Sequence, residues 1–102
     1  MASDQAPSDL ALRLAANLDL RAAGPLAAEL LAIRGVDVAL DAAEVRRLGG
    51  QCLQVLLAAE AAWSDDQKDF RIVNASPDFC EACALMGVER LAEDRAAPEL
   101  NP

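Results

Sequence analysis

The chain has 102 residues, a formal net charge of -8, two Phe, one Trp and neither Tyr nor His. That fits a single domain with a small aliphatic core. It argues against binding of phosphate backbones or stacked bases, and the lack of His excludes Ser-His-Asp and Cys-His catalytic arrangements. Glu60 interrupts the longest apolar run, which falls short of the roughly 18 residues a membrane helix needs. Residues 1–7 lack the basic-then-apolar layout of a secretory signal, and three cysteines fit reduced thiols better than disulfides. A cytoplasmic protein is expected.

In chain order, Leu10, Leu12 and Leu14 alternate with Ala11, Arg13 and Ala15, the period-two sign of a half-buried strand. Asn17-Leu18-Asp19-Leu20 reads as a turn or a short second strand. Pro25 suits the first turn of a helix, where its missing donor costs nothing; Leu26, Leu30 and Ile33 form that helix's stripe, and Gly35 is its stop. Residues 36–40 alternate as a strand with Val36, Val38 and Leu40 pointing to the core. A short polar turn follows, then a strongly apolar helix over about residues 51–63. Asp65-Asp66-Gln67-Lys68 is a charged loop, and Phe70-Arg71-Ile72-Val73 is a strand. Ser76 is a good N-cap with Pro77 at the first helical position, opening a helix whose buried face is Phe79, Ala82, Cys83 and Met86 and which Gly87 closes. Residues 88–91 read as a last short strand. Residues 1–8 are expected to be a disordered N-terminus, 9–92 the domain, and 93–102 a loose tail. Strands alternating with helices imply βαβ units and a mostly parallel sheet, the α/β class.

Three segments carry a family resemblance. The first is the strand ending Leu40-Asp41, followed by Val45 and by Gly49-Gly50-Gln51-Cys52-Leu53 at a helix start. The second is Arg71-Ile72-Val73-Asn74-Ala75-Ser76-Pro77, and the third is Leu85-Met86-Gly87-Val88. In this order and spacing they resemble the STAS domain, the family of bacterial anti-sigma factor antagonists. The resemblance runs from about Leu10 to Leu91 and implies a single STAS-like domain, a small mixed β-sheet with helices packed mainly on one side. In that family Asp-Ser-x-Gly-Leu opens the helix, and its serine is the phosphoacceptor that switches partner binding. Here Asp41, Val45 and Leu53 fit, but Gly50 stands at the phosphoacceptor position and offers no hydroxyl. The fold is expected to be kept and the usual switch lost.

Other constellations are weaker. At about 100° per residue, Cys52, Val55, Leu56, Ala59, Ala62 and Trp63 cover one face of the second helix, with Leu53 and Leu57 on an adjacent face. One apolar stripe suffices to cover a small sheet. The excess therefore either packs under neighbouring helices or forms a docking surface, since exposed apolar patches mark contacts. Gly49-Gly50-Gln51 precedes a helix N-terminus, which favours anions, but no Gly-Lys-Ser/Thr follows to make a phosphate loop. A flexible turn accounts for the two glycines. Arg46-Arg47 is a solvated pair or a greeting for an acidic partner. Cys80-x-x-Cys83 lacks the four Cys or His ligands of a zinc site and lies too far into its helix for thioredoxin-like chemistry. Asp41 at a strand end is the one candidate for a receiver-type phosphoacceptor, without the acidic cluster such a site needs.

The expected function is therefore a non-enzymatic protein–protein interaction module. There are no catalytic residues, metal or cofactor, no nucleic-acid binding and no membrane insertion. Partner-binding residues are Arg46, Arg47, Gly49, Gly50, Gln51, Leu53, Gln54 and Leu57, counting whichever of Leu53 and Leu57 is exposed. The resemblance implies bacterial signalling, with an anti-sigma factor kinase or a chemotaxis signalling component as partner. The alternative it implies is a STAS subunit docking through the same turn and helix on the ATPase of a phospholipid-transport ABC complex. A third reading is a module binding a nucleotide or lipid ligand. Homodimerisation is left open.

Overall fold

A computed structural model of the chain describes residues 10–92. Residues 1–9 and 93–102, which include the expected disordered N-terminus and loose tail, lie outside the described residues. The elements follow the order β1 (Leu10–Arg13), β2 (Asn17–Leu18), α1 (Leu20–Ala32), β3 (Val38–Asp41), β4 (Arg47–Leu48), α2 (Gly50–Asp65), β5 (Phe70–Val73) and α3 (Pro77–Leu85). A 3-10 turn at Glu89–Ala92 ends the described chain. The expected strand at residues 88–91 is thus helical. Its short apolar run carries two charged residues and docks Leu91 into the core rather than pairing along a sheet edge.

β1, β3 and β5 form a three-stranded sheet in the order β1-β3-β5, and β2 pairs with β4 in a second, two-residue ladder. The small sheet expected as mixed is parallel in every pairing among the described residues. Register places Leu12, Leu40 and Ile72 side by side, and Val38 beside Leu10 and Phe70. Side chains alternate across a strand, so Val38, Leu40 and Ile72 share one face and join the core with Leu26 and Leu30 of α1 and Leu56 and Trp63 of α2. The opposite face, with Ala39, Asp41, Arg71 and Val73, is only half-buried. The domain is α/β, as expected.

Local chemistry sets the helix boundaries. The Asp19 carboxylate accepts from the backbone N–H of Arg21 (3.1 Å) and Ala22 (3.3 Å), which starts α1 at Leu20. Pro25 therefore lies in the second turn, not the first; the N-cap at Asp19 outranks the proline signal because it satisfies two donors that would otherwise be orphaned. Leu26 and Leu30 form the buried stripe as expected, and Gly35 takes up a left-handed φ of 98° beyond the helix end. Val36 stays outside β3 and is half-buried, and its carbonyl accepts from Trp63 Nε1 at 2.7 Å. Trp63 also tilts against Phe70, with ring centroids 5.7 Å apart. At the far end of α2, Arg34 makes a two-pronged ion pair with Asp66 (3.0 and 3.1 Å), tying the end of α1 to that of α2. α3 opens on Ser76 and Pro77 as expected and buries Phe79 and Cys83, whereas Met86 is 41% exposed as the C-cap.

Candidate partner-docking site

The segment from β3 to α2 is held by backbone bonds at each step. Asp41 Oδ1 accepts from Ala43 N–H (2.9 Å), closing an Asx turn, and Ala42 N–H donates to Val73 O at 2.9 Å. Asp41 is thus occupied as a turn residue. Ala42 and Val45 are buried and pin the turn to the core. Arg46 and Arg47 both donate their backbone N–H to Ala16 O (2.8 and 3.1 Å), and Gly49 N–H donates to Leu18 O at 2.9 Å. The end of what reads in sequence as a short polar turn is therefore a short strand, β4, clipped to β2. Two residues are too few to show a period, so no hydropathy pattern could have revealed it.

Ser76 locks this corner from the other side. Its hydroxyl donates to Val45 O at 2.6 Å and accepts from Phe79 N–H at 3.0 Å, and its own N–H donates to Ala42 O at 3.1 Å. Its role as an N-cap is legible from Ser76-Pro77; its bridge across 31 positions to Val45 is not. A cleft of about 590 Å³ lies beside this bridge, lined by Ala16, Asn17, Ala43, Glu44, Val45, Arg46, Ser76, Pro77 and Asp78.

Gly49 is the N-cap of α2, in extended conformation and with no side chain to accept a hydrogen bond. A Cβ on Gly49 would meet Leu18 O at 3.4 Å, whereas one on Gly50 would meet no atom within 4 Å. The first intrahelical bond runs from Leu53 N–H to Gly49 O, so the N–H groups of Gly50, Gln51 and Cys52 have no partner within the helix. Cys52 points inward and donates its thiol to Asp19 O at 3.3 Å. Burial, and secondarily the Asp19 charge, push its pKa up, opposing the reactivity a helix N-terminus could confer.

Of the candidate contact residues, Arg46, Arg47, Gly50, Gln51 and Gln54 are exposed at this one corner, and Gly49 and Leu57 are half-buried. Leu53 is 4% exposed and belongs to the core. Its helical angle brings it next to the Leu56 side of α2, which faces the sheet, so the extra apolar face is shared: Leu53 packs inward and Leu57 remains at the rim. Among the described residues, neither Arg46 nor Arg47 makes a side-chain hydrogen bond or ion pair, while Arg13, Arg21, Arg34 and Arg90 each pair with a carboxylate.

The chain contains four serines, Ser3, Ser8, Ser64 and Ser76, and no threonine or tyrosine. Within the described residues that leaves Ser64, exposed near the C-terminal end of α2, and Ser76, buried and doubly bonded. Cys80 is exposed and Cys83 buried. Among the described residues no group of three or more His, Cys, Asp or Glu is placed to hold a metal ion, and no helix is long and apolar enough to cross a membrane.

No individually curated protein matches the chain. Residues 1–93 match the family model described as "Mlab, STAS domain", which spans every described element and the whole docking corner. With that match, and with the parallel α/β core and the Asp41-to-Leu53 segment in place, the chain belongs to the STAS domain family.

Proposed function

We propose that the chain is a non-enzymatic, cytoplasmic protein-docking module that contacts its partner through β4 and the first turns of α2. STAS domains act in protein–protein interactions. The observation that carries the reading here is Gly50: exposed, sterically open, and first in a helix whose N-cap, Gly49, makes no side-chain hydrogen bond to its amides. A partner backbone can approach such a position closely. Around it, Gln54 and the half-buried edge of Leu57 supply polar and apolar contact.

The docking is not governed by phosphorylation at this corner. Residues 45–54 contain no hydroxyl, and Ser76, which lines the cleft beside Val45 and Arg46, spends its oxygen on two structural bonds. The partner we favour is a bacterial signalling protein, an anti-sigma factor kinase or a chemotaxis component. The second reading, docking on the ATPase of a phospholipid-transport ABC complex, is favoured by the label of the matched family, Mlab. Binding measured against a purified representative of each partner class decides between them. Gly50→Trp, which fills the open position without touching the core, is expected to abolish the productive interaction and leave the melt unchanged. Full binding by Gly50→Trp to whichever partner binds the parent places the contact elsewhere.

A further inference from the structure

Resting on that docking reading, we infer that the surface at β4 and the start of α2 fits an acidic polypeptide segment, with Arg46 and Arg47 as its charge-complementary contacts. The described residues hold twelve acidic and eight basic side chains. In such a surplus of carboxylates an exposed arginine readily finds a partner, and Arg13, Arg21, Arg34 and Arg90 do. Among the described residues Arg46 and Arg47 stand adjacent, exposed and without a carboxylate partner, although Glu44 lies two positions from Arg46 and is drawn instead toward Arg13 at 3.7 Å.

The pair is also held in place. Both backbone N–H groups bond to Ala16 O, so the two stems rise from a clipped strand rather than a loose loop, and less freedom is lost when they are engaged. Next to them, α2 has no acidic residue in its first turn and no capping side chain, and Asp19, the acid beside Gly49, turns its carboxylate to the backbone N–H groups of Arg21 and Ala22. Asp78, which lines the same cleft as Arg46, limits how far an acidic segment extends toward α3 and directs it along Arg47 and Gly50. An anionic membrane or a nucleic acid presents charge over a wide area and meets the net charge of -8. A short peptide segment meets only what lies within about 8 Å, the screening length at physiological salt.

The test uses the full chain and two synthetic peptides, Ac-AEEAEEA-NH2 and its Gln counterpart, titrated at low salt and followed by amide chemical shifts. The acidic peptide should perturb amides of residues 46–54, bind at least fivefold more tightly than the Gln peptide, and weaken as salt is raised. Arg46→Gln/Arg47→Gln should lose that preference, with an unchanged melt establishing that the variant folds. Equal binding of the two peptides, shifts mapping elsewhere, or no shifts at all overturn the inference. So does binding to vesicles containing phosphatidylserine that exceeds binding to the peptide. The docking reading fails separately: a partner that ignores Arg46→Gln/Arg47→Gln but is lost with Gly50→Trp refutes only the acidic contact, and one that ignores both refutes the docking surface itself.

Discussion

Replacing Ser76 by Ala tests whether the docking corner is held by the fold or merely lies beside it. The hydroxyl makes two buried hydrogen bonds, 2.6 Å to Val45 O and 3.0 Å from Phe79 N–H. Removing it deletes the N-cap of α3, worth about 1 kcal/mol, and leaves the Val45 carbonyl without a partner in a buried setting, worth about 1–2 kcal/mol. The expected loss is about 2–3 kcal/mol, a large share of the roughly 5–15 kcal/mol that holds a typical domain together. For a domain of this size the melt should fall by roughly 10–20 °C. Urea denaturation followed by the fluorescence of Trp63, the sole tryptophan and 1% exposed, reads the change directly. The midpoint should drop with the slope unchanged. Ser76→Asp is the discriminating companion. Its carboxylate can still accept from Phe79 N–H but has no proton for Val45 O and brings negative charge against that carbonyl. It should destabilise at least as much as Ser76→Ala. A loss below about 0.5 kcal/mol for Ser76→Ala, or rescue by Ser76→Asp, would refute the bridge to Val45 as a structural element of the corner.

Leu53→Ala should cost about 2–5 kcal/mol of stability because it empties a core position. Leu57→Ala should melt nearly normally and weaken partner binding about tenfold, roughly 1–2 kcal/mol; melting and binding measured side by side check both. Incubation with ATP and candidate kinases should add no phosphate within residues 45–54 by intact mass and peptide mapping, and a stoichiometric phosphate there would sink the claim of unphosphorylated docking. Thiol labelling of the folded protein should modify Cys80 rapidly and spare Cys52 and Cys83. Burial, then neighbouring Cys80, pushes the Cys83 pKa up from 9.0 to about 11, so the unfolded chain releases this proton first as pH rises. The contribution of neutral Cys83 to stability is therefore complete below about pH 9 and is lost between about pH 9 and 11, which denaturation midpoints measured across that range will show.

The sequence by itself determined the elements whose signals are local. Alternation at Val38 and Leu40, the Ser76-Pro77 helix start, the left-handed glycines Gly35 and Gly87, and the long apolar run of α2 each state their own conformation within a few residues. The STAS pattern and the missing hydroxyl at Gly50 were legible for the same reason. At the start of α1 the sequence pointed to Pro25, and the Asp19 carboxylate, which satisfies two backbone donors, moved the start to Leu20. Tertiary structure alone decided the rest. β4 exists because Ala16, Asn17 and Leu18 lie alongside Arg47 and Leu48, and two residues cannot announce a strand without their partner. The sorting of Leu53 into the core and Leu57 to the rim depends on how α2 is rolled against the sheet, which helical periodicity leaves undetermined when apolar residues cover more than one face. The bridge from Ser76 to Val45, and the lack of a carboxylate beside Arg46 and Arg47 among the described residues, depend on distances between residues remote in sequence. Such distances are set by the packed core and are not encoded in any local pattern.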